Sequence, residues 1–427
     1  MKAISNVSAL QIFQILRYST LILISIVFAN SHLSKLEIGE YETFIFLAGA
    51  ASFFWLTGFI KSFLINSSNR KEKSSDIFNF YILILATSVL SFLTIKFISS
   101  DSINLLSYNY SDKLAIYIVL LGTASISEYI LLLLKKNKAL IYYGLISFAV
   151  QFAIIIYPII LGKGIETIIN SLLIVVALKN LFALFLVFRY SVIKFSFNTI
   201  KDNLRLAFPL IISFILSGSA QYIDGFIIKY NFDDNVFAVF RYGAKEFPLL
   251  ILLADSMSTA FVSNFNNSNI DNVLAQIKEK SNKLVNWLFP LSIVLLIFST
   301  YLFKTVFSPQ FIESAVIFDI YLLLIVSRLV FPQTVIMGLK NSSLILQASV
   351  IELIINVSLS LLLVLKFGIA GVAFATVIAF FIEKIYLLVM LKHKFNISSL
   401  KYINFKPIIL YSIILFAAFI IKYYFFI

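Results

Sequence analysis

The chain of 427 residues has no cysteine and only two histidines, His32 and His393. Without cysteine there is no disulfide, thiolate nucleophile or cysteine-held metal, and both histidines fall between apolar runs, so metal catalysis has no ligand set. Charge is scarce: 13% of residues are Asp, Glu, Lys or Arg, about half the ~25% usual in soluble domains. No G-x-x-x-x-G-K-[ST] occurs, which excludes a P-loop nucleotide site. Long polar segments are missing too. The longest gaps between apolar runs, about 99–112, 189–203, 263–283 and 392–406, are too short for a soluble catalytic domain. Neither a cofactor nor an enzymatic activity is expected.

What is abundant is apolar. Hydrophobic residues make up 60% of the chain against ~45–50% in soluble domains, and the mean hydropathy is +0.97. Runs of about 20 residues, long enough for a hydrocarbon core of ~30 Å, recur along the whole length. The expected class is an all-α polytopic membrane protein, with thirteen spans near 11–30, 38–65, 77–98, 113–134, 139–161, 165–188, 204–228, 235–262, 284–306, 311–338, 343–365, 369–391 and 407–426. The first apolar run contains Arg17 and has no small-residue cleavage site behind it, so it is expected to remain as a span.

Basic residues mark the orientation. With the N-terminus inside, nineteen of the 34 basic residues fall in inside segments, eight outside and seven within spans, whereas the acids divide five, nine and seven. The positive-inside rule then makes the N-terminus cytoplasmic. The net charge of +13 is a topology signal, and nothing is left for nucleic acid to explain.

Six spans precede the inside segment and six follow it before the last one. An even number per half makes the halves parallel repeats about an axis along the membrane normal, with a central cavity between them. The expected division is a six-helix bundle at 1–190, a cytoplasmic linker at 191–203, a second six-helix bundle at 204–391, and a cytoplasmic segment with an extra C-terminal span at 392–427. One local echo, F-x-x-G-A-x-x-F, occurs as Phe46, Gly49, Ala50, Phe53 and again as Phe240, Gly243, Ala244, Phe247. A repeat and a coincidence of common residues both account for it.

Three stretches carry a family resemblance. LRLAFPLIISFILSGSAQYIDGFIIKYNFDDNVFAVFRYGAKEFPLL at 204–250 resembles the start of the second half of Wzx-type polysaccharide flippases of the multidrug/oligosaccharidyl-lipid/polysaccharide exporter superfamily. FGIAGVAFATVIA at 367–379 resembles the glycine turn and alanine-rich opening of that superfamily's twelfth helix, and ASFFWLTGFIKSFL at 51–64 its second helix. The thirteenth span departs from a twelve-helix plan. The resemblance implies transport of an undecaprenyl-diphosphate-linked glycan from the cytoplasmic to the outer leaflet of the bacterial inner membrane, for O-antigen, lipopolysaccharide or capsular polysaccharide. It also implies contact with membrane lipid, and leaves open both a coupling proton or sodium ion and a polysaccharide polymerase partner. Such a lipid carries a diphosphate that is costly to bring through hydrocarbon and a sugar that needs water or hydrogen bonds. A hydrated cavity with fixed cations meets both needs.

Seven cations, Arg17, Lys61, Lys179, Arg241, Lys245, Arg328 and Lys384, fall within the expected spans, as do seven acids, Glu128, Asp224, Glu246, Asp255, Asp319, Glu352 and Glu383. Each buried charge costs ~2.5–3.5 kcal/mol or more unless paired, hydrated or able to reach the interface. Arg328 and Glu352 lie level on adjacent antiparallel spans and are expected as a structural ion pair. Asp224 and Arg241 are level in the same way. Lys384, beside Glu383 near the inner end, is expected to snorkel. Arg17 and Lys61 lie at similar depth on spans one and two without an acid in either core: an anion between them would relieve their repulsion, and snorkelling to headgroups is the alternative. Arg241 and Lys245 are four apart on one helical face, and Lys179 is too deep to snorkel comfortably, with Glu128 a possible partner. These five cations, Arg17, Lys61, Lys179, Arg241 and Lys245, are the diphosphate-binding candidates. Glu128, Asp224 and Asp255 are the candidates for binding a coupling ion. Pro158, Pro209, Pro248, Pro290 and Pro332 are expected to interrupt helices, and the aromatic load of 45 Phe and 21 Tyr to face lipid for the most part.

Two other functions compete with the flippase. A cation-coupled multidrug exporter of the same superfamily would want acids in its cavity. A membrane glycosyltransferase or polymerase usually handles its acceptor on a large external loop, and the short loops here count against it.

Overall fold

In a computed structural model the described residues are 6–67, 75–100, 110–245, 269–339 and 341–425, with single positions between 254 and 265. Among them all regular structure is helical. The helices are α1 (Asn6–Ala29), α2 (Lys35–Ser67), α3 (Asp76–Ser100), α4 (Ser111–Ala124), α5 (Ile126–Leu133), α6 (Asn137–Ile160), α7 (Ile165–Tyr190) and α8 (Phe197–Gly218). They continue with α9 (Ala220–Asn231), α10 (Asp234–Gly243), α11 (Ile270–Val306), α12 (Ser314–Leu322), α13 (Ile325–Arg328), α14 (Pro332–Gly338), α15 (Ser342–Phe395) and α16 (Phe405–Phe425). Nine described segments are long and apolar enough to cross a membrane, or ten if a bent pair is one span. This is a multi-pass membrane protein.

Apolar helices carry their hydroxyls by returning them to their own backbone. Thr20 donates to the Leu16 carbonyl at 2.9 Å, Ser25 to Leu21 at 2.9 Å and Ser52 to Ala48 at 2.6 Å, so these hydroxyl protons are not stranded in hydrocarbon. Outward-facing Leu181, Phe185 and Phe188 of α7 present the apolar surface a bilayer requires. Some aromatics also fill the interior, among them the fully buried Phe28, Phe44, Phe63, Phe80 and Tyr242. Ring pairs such as Phe63 on Phe80, 4.1 Å apart, and Tyr242 on Phe311, 4.2 Å apart, fill the helix interfaces.

The helix breaks are not where the prolines suggested. Pro158, Pro209 and Pro290 lie inside continuous helices, and only Pro332 sits at a break, where the paired segments Ser314–Arg328 and Pro332–Gly338 bend by 43°; Pro248 lies outside the described residues. The other breaks fall at Ser125, between α4 and α5, and at Ser219, between α8 and α9. The sharpest is Gly368, at φ 56° and ψ −139° within α15, a conformation glycine alone adopts cheaply. Two arms fold back there: Asn356 Nδ2 on one reaches Thr376 Oγ1 on the other at 3.2 Å.

The chain packs as two compact units, Met1–Gly218 and Ser219–Ile427, whereas the repeat boundary read from the sequence lies at 191–203. In the first unit α8 runs along α2, with Gly58 set against Ile211 and Ser62 Oγ donating to the Asn203 carbonyl at 3.0 Å. Asn79 of α3 pins the α7–α8 connection, donating to Lys194 O at 2.9 Å and accepting from Ser196 N at 2.7 Å. In the second unit α10 lies on α12, where Gly243 of the echoed motif faces Ser314 and Ile317, and Ser314 Oγ donates to Val239 O at 2.8 Å. Phe247 of that motif is outside the described residues.

The extra helix α16 is held to the second unit at both ends. At its start Lys401 pairs with Asp271 at 2.8 Å and Asn404 donates to Asn282 at 3.1 Å. Near its end Lys422 donates to Asp319 at 2.6 Å, Ser299 Oγ at 2.5 Å and the Leu296 carbonyl at 2.8 Å, while Tyr423 donates to Asp319 at 3.0 Å. The Asp319 side chain is wholly buried. Lys422→Met should strand that carboxylate and cost about 3–5 kcal/mol, seen as a lower melting temperature of the purified protein; adding Asp319→Leu should recover most of the loss.

Candidate functional site

A cavity of about 380 Å³ opens inside the first unit, lined from α1, α2, α4, α5, α6 and α7. At ~30 Å³ per water this is room for about a dozen waters, within the ~300–1,000 Å³ range of small-molecule sites. The side chains that matter come from breaks and small residues. Ser125, whose hydroxyl donates to Gly122 O at 2.7 Å, separates α4 from α5 and lets Glu128 turn inward. Gly122 admits Trp55 and Ser88 where a side chain would collide. In the cavity wall Tyr143 stacks between Phe13 and Phe182, at 5.9 and 4.6 Å.

The cavity's charges are Arg17, Glu128 and Lys179. Arg17 is ion-paired with Glu128, whose side chain is only 4% exposed, while Arg17 keeps 36% of its own surface open. Lys179 Nζ donates to Gln151 Oε1 at 2.6 Å and lies 4.7 Å from the Phe148 ring centre. With Lys179 protonated two cations face one acid, and the cavity has one positive charge in surplus, held by a neutral amide and an aromatic face. Such a site favours an anion.

The structure corrects several expectations from the sequence. Arg17 does not face Lys61 across an anion. Lys61 lies outside the cavity lining, exposed over the Phe214 ring at 4.4 Å, and the partner of Arg17 comes from α5, 111 positions away. Lys179 takes Gln151 as its hydrogen-bond partner. Lys245 does not share a helical face with Arg241, because α10 ends at Gly243; its ammonium lies 4.2 Å from the Tyr242 ring centre. Lys384 is buried and paired with Glu383 at 2.9 Å, with Gln333 donating to the same carboxylate at 2.5 Å, so it does not snorkel. Asp255 lies outside the described residues.

A second polar cluster sits in the other unit. Asp224 accepts from Tyr321 Oη at 2.7 Å and Thr376 Oγ1 at 2.5 Å, and Ser360 Oγ donates to Asn356 Oδ1 at 3.0 Å. Arg328 lies over the Phe380 ring at 4.7 Å, and the charges acting on Glu352 are Glu383, Lys384, Arg328 and Asp224. Tyr321, Thr376, Asn356 and Ser360 were missed in the sequence, since hydroxyls and amides at helical spacing carry no distinctive signal. Among the described residues no group of three His, Cys, Asp or Glu could hold a metal ion. A further recess of about 620 Å³ between α16 and the α13–α15 region is lined almost wholly by apolar side chains.

Because the chain has no cysteine of its own, water access is directly measurable. Ser147→Cys, in the cavity wall, should react with a membrane-impermeant thiol reagent, whereas Ala183→Cys, at a fully buried position, should not.

A family described as polysaccharide biosynthesis protein matches residues 32–316. No curated protein matches the chain. Among solved structures it is similar to the lipid II flippase MurJ in an inward closed conformation, at TM-score 0.72 and 22% identity over 97% of this chain and 93% of that one. A MOP superfamily transporter from Pyrococcus furiosus follows at TM-score 0.60 and 14% identity, over 93% and 98% of the two chains. An outward-facing MATE family multidrug transporter gives 0.58 and 13% over the same shares. The matched segment is well over half of the sequence, and these three structures share its fold: the chain belongs to the polysaccharide biosynthesis protein family.

Proposed function

We propose that the protein is a flippase that moves undecaprenyl-diphosphate-linked oligosaccharide units from the cytoplasmic to the outer leaflet of the bacterial inner membrane by alternating access, supplying O-antigen or capsular polysaccharide synthesis. The observation that carries this reading is the cavity of the first unit, where Arg17, Glu128 and Lys179 leave one cation in surplus. A diphosphate needs such a charge to leave the headgroup layer, and the family concerns polysaccharide synthesis. The similar MurJ structure is titled a lipid II flippase, which also supports a lipid-linked cargo.

Arg17 and Lys179 take the diphosphate in this reading. Arg241 and Lys245 form a second holding point, and Lys61 draws the headgroup from the surface. Asp224, with the hydroxyls of Tyr321 and Thr376 and the nearby Asn356 and Ser360, is an oxygen-rich place for a coupling proton or sodium ion, and Arg328 with Glu352 braces it. A cytoplasmic N-terminus follows from the basic-residue bias. The MATE-like fold also raises a multidrug exporter, but a cationic cavity repels the cations such an exporter carries.

The test is translocation in proteoliposomes of a fluorescent undecaprenyl-diphosphate oligosaccharide, read by an impermeant quencher with and without a proton or sodium gradient. Arg17→Ala and Lys179→Met should each slow exposure at least about tenfold, the worth of one lost charged hydrogen bond, while Lys194→Ala should not. Extrusion of a cationic dye with the lipid left in place would move the assignment to the exporter.

A further inference from the structure

The charge count in the cavity of the first unit does not match its proposed cargo. A glycan joined to a prenyl chain through diphosphate has both phosphates esterified and carries two negative charges. Arg17 and Lys179 would balance them, but the buried Glu128 already occupies Arg17. With Glu128 ionised, a bound dianion leaves the cavity one negative charge in excess, and an uncompensated charge in a site walled by apolar helices is strongly disfavoured. A monoanion, by contrast, brings the same cavity to neutrality.

Among the described residues Glu128 has no third cation to turn to. It feels Arg17 and Lys179, and the other titratable groups in the lining are the phenols of Tyr41, Tyr117, Tyr129 and Tyr143, uncharged near neutral pH. They stand on α2, α4, α5 and α6, the elements around Glu128, with Lys179 on α7 and Arg17 on α1. Once a phosphate takes the guanidinium, the carboxylate is left facing hydroxyls, and charge balance is restored by a proton. We propose that binding of a diphosphate diester in this cavity is linked to uptake of one proton by Glu128. The inference rests on the reading of the cavity as the diphosphate site. It makes Glu128 a specificity residue: the site distinguishes a dianionic carrier from the monoanionic phosphodiesters of the surrounding bilayer by whether a proton accompanies the ligand.

The experiment is titration calorimetry of the purified full chain with farnesyl diphosphoglucose, a fixed dianion, and farnesyl phosphoglucose, a fixed monoanion, in buffers of different ionisation enthalpy. For the parent protein the dianion should take up about one proton per site, and its affinity should fall about tenfold per pH unit on the alkaline side; the monoanion should take up none. In Glu128→Gln the proton uptake and the pH slope for the dianion should vanish while binding persists. Dianion binding without proton uptake in the parent, a measurement that needs no variant to fold, overturns the linkage and leaves the site assignment intact. Undiminished dianion binding in both Arg17→Ala and Lys179→Met overturns the site assignment itself.

Discussion

Hydrocarbon tolerates an ionised group only beside a partner or water, and the polar architecture of this protein follows from that constraint. Every deep charge with a described partner finds it on another helix or at a neighbouring position. Arg17 meets Glu128, Lys384 meets Glu383, and Lys422 meets Asp319. Lys179 has an amide and an aromatic ring where the others have a carboxylate, and it stands in a cavity large enough for water. In the proposed function a mobile anion supplies the partner that Lys179 lacks among these carboxylates.

The fold was legible because its signal is one-dimensional. Apolar runs need no knowledge of neighbours, so most expected spans coincide with observed helices, and the glycine turn at 367–379 appears as the reversal at Gly368. The three stretches that resembled the flippase superfamily lie in a chain whose family and fold agree with that resemblance. Partners were not legible. Depth along a helix can be counted from the sequence, but the direction a side chain faces depends on helix rotation, which tertiary packing sets. Arg17 and Lys61 were read as lying at similar depth, yet Lys61 is exposed over Phe214, and the acid for Arg17 lies on a helix whose role depends on the break at Ser125. Lys422 was not among the seven cations singled out within the spans, and its carboxylate is 103 positions away.

Prolines misled for a related reason. A proline removes one hydrogen bond and crowds one carbonyl, and a helix packed on several sides absorbs both. The breaks that shape this molecule arise at serines 125 and 219, at Gly368 and before Pro332. Serine and glycine at such points are too common in membrane helices to stand out.

The hairpin at Gly368 bears on how the chain enters the membrane. Its arms turn through a single left-handed residue, with no polar loop to carry across, and Asn356, Ser360 and Thr376 bond to one another within it. Part of the desolvation cost of these three side chains is therefore met inside one contiguous stretch, and Thr376 completes its bonding with Asp224 of α9. The arms can enter the membrane together, yet Thr376 and Glu383 reach Asp224 and Gln333 only by packing on α9 and α14, so insertion of the hairpin is coupled to its docking on helices made before it.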